Sequence, residues 1–125
     1  MTMDQLNLIS EKIINCAFEV SNKLGAGFLE KVYENAMVIE LSRTGLSVKQ
    51  QAPIQIYYDE YIIGDYIADL FVEDKIIVEL KTVKSVENIH QAQLLNYLKA
   101  TGAQLGLIIN FYNPKVEIKR MLNTK

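Results

Sequence analysis

The stretch YIADLFVEDKIIVELK, residues 66–81, holds two apolar-rich runs separated by the charged triplet Glu73-Asp74-Lys75. Alternation and β-branched content in both runs predict two antiparallel strands joined as a hairpin. Residues two apart on a strand share a face. Asp69 and Phe71 then share one face of the first strand, and Ile77, Glu79 and Lys81 share one face of the second. If the loop is the three residues Glu73 to Lys75, Val72 pairs with Ile76, and counting back along both strands sets Asp69 opposite Glu79. Directly opposed side chains have Cβ atoms roughly 4.5–5.5 Å apart. Two carboxylates that close repel each other unless a cation neutralises them. A hard divalent cation with oxygen ligands does so, and Lys81 lies one step along the same face. An even-numbered loop would put the two acids on opposite faces. No Asn-Gly or Asp-Gly pair marks a two-residue turn here, so the odd loop is allowed.

Working outward, Leu46 to Tyr58 reads as a strand interrupted or ended on one side by Pro53. Tyr61 to Val72 follows, with Gly64 as a bulge or bend, and Lys75 to Lys81 completes a three-stranded meander. Two helices precede it. Thr2 to Lys23 opens with capping-box spacing and carries Leu6, Ile9, Ile13, Ala17, Val20 and Leu24 on one stripe, with Gly25-Ala26-Gly27 as its stop. A second helix runs from about Phe28 to Thr44. Glu30 falls in its first turn, where an acid answers the helix dipole. That account suffices from spacing alone, though the same turn also aims Glu30 at the hairpin. Downstream, Ser85 is the expected N-cap of a third helix ending near Ala100, with His90, Gln93 and Tyr97 as a polar stripe. His90, the sole histidine, reads as a surface or supporting residue, because no other histidine and no nearby cysteine accompanies it. Leu105 to Phe111 is a continuous apolar run, the pattern of a strand buried on both faces. Val116 to Leu122 alternates weakly as a final edge strand, and Lys119 and Arg120 there read as solvated surface.

At 125 residues, half of them hydrophobic, the chain is expected to be a single domain, 1–125. No apolar run approaches the roughly 20 residues of a membrane span, and residues 1–12 lack the basic-then-apolar pattern of a secretory signal. Cys16 is the only cysteine, read as a small buried hydrophobe in a reducing, cytoplasmic setting. The net charge of −2 argues against strong nonspecific nucleic-acid binding, unless cations gather locally or a metal offsets the acids.

Three elements in order carry a resemblance. Asp69 followed by Glu79-x-Lys81 resembles the PD-(D/E)xK phosphodiesterases, with Ala68 where that superfamily usually has proline. Gln93-Leu94-Leu95-Asn96-Tyr97 is similar to the Q-h-x-x-Y element of the branch related to RecB-type exonucleases. Gly27-Phe28-Leu29-Glu30-Lys31-Val32-Tyr33 matches the signature of the GxxExxY family, a small branch of the same superfamily. The likeness spans about Ile9 to Leu122. It implies an α/β, restriction-endonuclease-like αβββαβ core, with a central mixed sheet flanked by helices and an extra N-terminal helix. It implies a metal-dependent nuclease, with nucleic acid, DNA in first place, as partner and Mg2+ or Mn2+ as cofactor. Asp69 and Glu79 would be metal ligands, and Glu30 would support the metal directly or through water. Lys81 would position the attacking water and stabilise charge on the phosphate. Gln93 and Tyr97 would orient the site and touch substrate or the groups that hold the ligands. The alternative is a catalytically silent module of the same fold that binds a partner or forms a homodimer through a sheet edge.

Overall fold

The computed structural model describes residues 1–123. In chain order the elements are α1 (Met3–Leu24), α2 (Glu30–Arg43), β1 (Val48–Tyr58), β2 (Tyr61–Val72), β3 (Ile76–Lys81), α3 (Asn88–Thr101), β4 (Leu105–Asn110) and β5 (Glu117–Leu122). The strands form one sheet in the order β1-β2-β3-β4-β5. Only β3 and β4 run parallel; the other neighbours are antiparallel. A parallel pair needs a long crossover, and α3 supplies it. This is the mixed-sheet αβββαβ order expected from the sequence, with the extra first helix and the last edge strand in place.

Local chemistry explains most boundaries. Thr2 caps α1 as a capping box: Gln5 N–H donates to Thr2 Oγ1 at 3.1 Å, and Thr2 N–H donates to Gln5 Oε1 at 2.8 Å. The helix buries Leu6, Ile13, Cys16, Ala17 and Val20. Two helix starts fall later than the residue pattern suggests. The second helix begins at Glu30 rather than Phe28. The third is capped by Glu87, not Ser85. Asn110 clasps Val83 through both of its backbone groups, at 3.1 and 2.8 Å, and so keeps this connection out of the helix. His90 then serves the new start, its Nδ1 accepting from Glu87 N–H at 3.0 Å.

The core lies on both faces of the sheet. On one, α1 and α2 cover Leu70, Val72, Ile76, Val78, Leu80, Leu107 and Ile109. On the other, Leu94, Tyr97 and Leu98 of α3 cover Ile54, Ala68, Ile77 and Ile108. Every residue of β4 is buried, its apolar run from Leu105 to Ile109 and the polar Asn110 that ends it alike. The close seat of α3 depends on Gly106, where an added Cβ would lie 2.9 Å from Leu94 Cδ1.

The hairpin turn is the three-residue loop. Val72 pairs with Ile76, Phe71 with Ile77 and Leu70 with Val78. Glu73 and Asp74 take positive φ, +56° and +52°, and Lys75 N–H closes on Val72 O at 2.9 Å. The β1–β2 ladder is much longer. Pro53 neither ends β1 nor breaks it, because β1 is an edge strand. The register slips where Ile56 pairs with Gly64 and Tyr57 with Ile62. Ile63 is the extra residue of that bulge, beside the glycine that predicted it. The outer half of this hairpin extends past β3 and leaves Tyr58, Tyr61 and Ile63 exposed.

Candidate metal centre

Pairing between β2 and β3 stops at Leu70 and Val78, one step short of the two acids. There the side chains take over from the ladder. Asp69 N–H donates to Glu79 Oε2 at 2.8 Å, and Leu80 N–H donates to Asp69 Oδ2 at 2.8 Å. Each carboxylate thus holds the backbone of the opposite strand. The disturbance continues across β2 into β1. Gln50 pairs with Leu70 and Ala52 with Ala68, but the intervening Gln51–Asp69 pair is missing, and Gln51 has φ +55°. Strict alternation would place Ala68 and Leu70 on one face. Instead Ala68 packs on the α3 side and Leu70 on the α1–α2 side. Asp69 sits at this changeover.

A left-handed glutamine costs about 1–3 kcal/mol unless its surroundings hold it there. The holder is Glu34 of α2, which is 4 % exposed. Its Oε1 accepts from Gln51 Nε2 at 2.8 Å, and its Oε2 accepts from Gln50 Nε2 and from Lys31 Nζ. Glu34 and the two glutamines form no part of the residue pattern singled out above. The available signal was helical spacing: Glu34 lies one turn after Glu30, on the face that meets the sheet.

Electrostatics follow from the burial of these acids. Glu79 is 6 % exposed. Burial first, and the Asp69 charge second, push its pKa up to about 8, against the hydrogen bond from Asp69 N–H and the charge of Lys81. The Asp69 carboxyl is also raised, chiefly by burial and then by Glu34 and Glu30, while Leu80 N–H and Lys81 oppose the rise. The second oxygens, Asp69 Oδ1 and Glu79 Oε1, accept no hydrogen bond from a described residue. No buried side-chain oxygen among the described residues lacks a partner, so both reach solvent. Two adjacent carboxylates with open oxygens, each harder to ionise than usual, are a donor set suited to a hard divalent cation.

The other anticipated residues divide. Glu30 is close enough for its charge to raise both acids. Its Oε2, however, accepts from Thr82 N–H at 3.3 Å. No group of three or more His, Cys, Asp and Glu side chains among the described residues is arranged to hold a metal ion. Lys81 closes β3 and lowers the pKa of both acids, and no ion pair ties it to a described residue. Tyr97 is 4 % exposed, and burial together with the Glu79 and Asp69 charges raises its phenol. Gln93 stands one turn before it, lining a cleft with it. Tyr33 proves to be a pin: its hydroxyl donates to Gly25 O at 2.7 Å and accepts from Phe28 N–H at 3.3 Å, and its ring stacks on Phe111 at 4.5 Å. That anchors the loop through Gly27, at φ +110°, and so sets where Glu30 starts its helix.

Known proteins share this chain's sequence pattern and its fold. A family model described as the PD-(D/E)XK nuclease superfamily matches residues 7–121. The crystal structure of SSO0001 is similar in fold, with a TM-score of 0.58 and 16 % sequence identity. The likeness covers 74 % of this chain and 48 % of that one, so the chain spans about half the length of the solved structure. No curated protein matches.

Proposed function

Because the chain belongs to the PD-(D/E)XK nuclease superfamily, we propose that it hydrolyses phosphodiester bonds of nucleic acid, DNA foremost, using Mg2+ or Mn2+ held by Asp69 and Glu79. The observation that carries this reading is the reciprocal grip of the two acids on each other's strands, with one oxygen of each left open. The Gly27–Tyr33 segment supports placement in the GxxExxY branch. Glu30, engaged on Thr82 N–H, is assigned to the ion through water rather than by direct contact.

A bound divalent cation supplies Lewis acidity and a more acidic water. The chain's own residues do the rest. Asp69 and Glu79 would hold the ion, their backbone contacts leaving them little freedom to rotate. Lys81 sets an ammonium beside the phosphate, where it orients the attacking water and offsets the negative charge that develops in the transition state. Lys81 is assigned to electrostatic stabilisation and not to the base. Tyr97, its phenol pKa raised, stays a neutral hydrogen-bond donor at the edge of the acids, with Gln93 beside it.

We further read the chain as one domain working in a reducing cytoplasm, in keeping with its one cysteine, buried as a free thiol. No helix among the described residues is long and apolar enough to cross a membrane. The test is a cleavage assay on labelled DNA and RNA. Fragments are expected with Mg2+ or Mn2+ and none in the presence of a chelator. Cleavage that persists in chelator, or a protein that binds the cation yet cuts no nucleic acid, contradicts the proposal. The second result would favour a silent module of the same fold.

A further inference from the structure

A cleft of about 760 Å³ opens between α3 and the outer half of the β1–β2 hairpin. Tyr97 joins this cleft to the strand that carries Asp69: it lines the one and packs in the same core cluster as Ala68 of the other. We propose that the cleft receives an unpaired nucleobase next to the phosphate being cut, so that the substrate is a single strand or a frayed end rather than a continuous duplex. This rests on the nuclease reading and narrows it.

Three features of the wall support a base. Tyr57, Tyr66 and Tyr97 supply aromatic surface, with the Tyr66 and Tyr97 rings 5.7 Å apart. Stacking on such rings accepts any base. Gln55, Gln93 and Asn96 add neutral amides, each offering donors and an acceptor to a base edge. No carboxylate of a described residue lines the cleft, in a chain whose net charge is negative. Its volume falls within the usual range for small-molecule sites, roughly 300–1,000 Å³. Tyr66 lies three residues before Asp69, about 10 Å along an extended strand, a position that suits the nucleotide beside the cut.

The charges argue against a duplex. Proteins that hold duplex DNA tightly neutralise several phosphates, on the order of 6–10. Residues 50–70, which include the projecting half of the hairpin, carry Asp59, Glu60, Asp65 and Asp69 and no lysine or arginine. Lys99 is the one lysine of the cleft wall among the described residues. A helix of DNA laid across the hairpin would face acids, whereas one base inserted from a single strand meets rings and amides.

The experiment is a titration of a single-stranded oligonucleotide carrying 2-aminopurine, and of the same oligonucleotide in a blunt duplex, in EDTA at low salt. The expected result is quenching of the single strand's fluorescence by stacking, with binding at least about tenfold tighter than the duplex. Tyr66→Ala should weaken single-strand binding about tenfold and abolish the quench, Asn96→Leu should weaken it several-fold, and Tyr66→Phe should keep both. Equal affinity for single strand and duplex, or an unchanged quench in folded Tyr66→Ala, overturns the assignment. Tyr57→Ala, at a more exposed ring, gives the same readout should Tyr66→Ala fail to fold. A protein that stacks the base in EDTA but cuts nothing once magnesium is added sinks the nuclease reading and leaves the cleft's ligand standing. Equal cutting of both forms, unaffected by Tyr66→Ala, sinks the cleft assignment alone.

Discussion

Replacing Lys81 by methionine is expected to lower metal-dependent cleavage by about 100- to 1,000-fold, the range seen when one preorganised charge-stabilising group is removed from an active site. Melting should barely change. Lys81 lies at the end of β3 and forms no ion pair with a described residue, so its loss breaks no such pair. Methionine keeps an apolar stem of similar reach and removes only the charge. The loss should appear in kcat rather than KM, because the ammonium acts on charge that develops in the transition state. Activity within a few-fold of the parent, in a folded variant, would remove Lys81 from the mechanism. A large drop in melting temperature would mean that its charge chiefly holds the acids together.

The second large effect is an unusual dependence of stability on pH. Glu79 has a folded pKa of about 8, against an ordinary value of 4.5. Between those values the folded chain holds a proton that the unfolded chain has released. The resulting stabilisation is fully present below 4.5 and is lost as pH rises through 8. Metal-free protein should therefore lose up to about 1.4 kcal/mol of stability per pH unit within this window. Asp69, shifted in the same direction, adds to the fall. Glu40 and Glu73 are shifted down, so their small, solvent-screened contributions disappear at the acid end instead. Denaturant titrations of the metal-free protein at a series of pH values measure the slope. Glu79→Gln should flatten it and leave the variant more stable than the parent at alkaline pH, although inactive. A divalent cation should restore the parent at that pH, by about 2.7 kcal/mol at a hundred times its Kd. A parent protein that gains stability steadily from pH 5 to 8 without metal would mean that Glu79 is ionised and relaxed in the fold.

That Glu79 and Asp69 would meet was legible only on the condition of a three-residue loop, which the sequence allowed without requiring. Three residues between Val72 and Ile76 fix the register, and the pairs found at Leu70, Phe71 and Val72 follow it. The apolar run of β4 and the capping box at Thr2 were local signals. The mode of meeting was not legible. A regular ladder would have set the carboxylates side by side on one face, whereas each inserts toward the other strand's backbone. That departure depends on Gln51 adopting a left-handed φ, for which glutamine carries no residue-type signal. It also depends on Glu34, whose role arises from contact with β1 and not from its neighbours in the chain. Asn110 is similar. It ends β4, and its amide delays the start of α3 by holding Val83 from the strand beside β3. Glu30 was legible as an acid near the site, but its hydrogen bond to Thr82 N–H comes from the connection after β3, far away in sequence.

The proposed site comes down to one buried and one half-buried acid that a divalent cation would make tolerable, and calorimetric titration of Mn2+ into the metal-free protein tests it directly. One ion per chain should bind, with affinity rising toward pH 8 and with proton release, because Glu79 must lose its proton to serve as a ligand. Binding should vanish in Asp69→Asn and in Glu79→Gln, both still folded. Stoichiometric binding that persists unchanged in both variants would place the ion elsewhere and contradict the account.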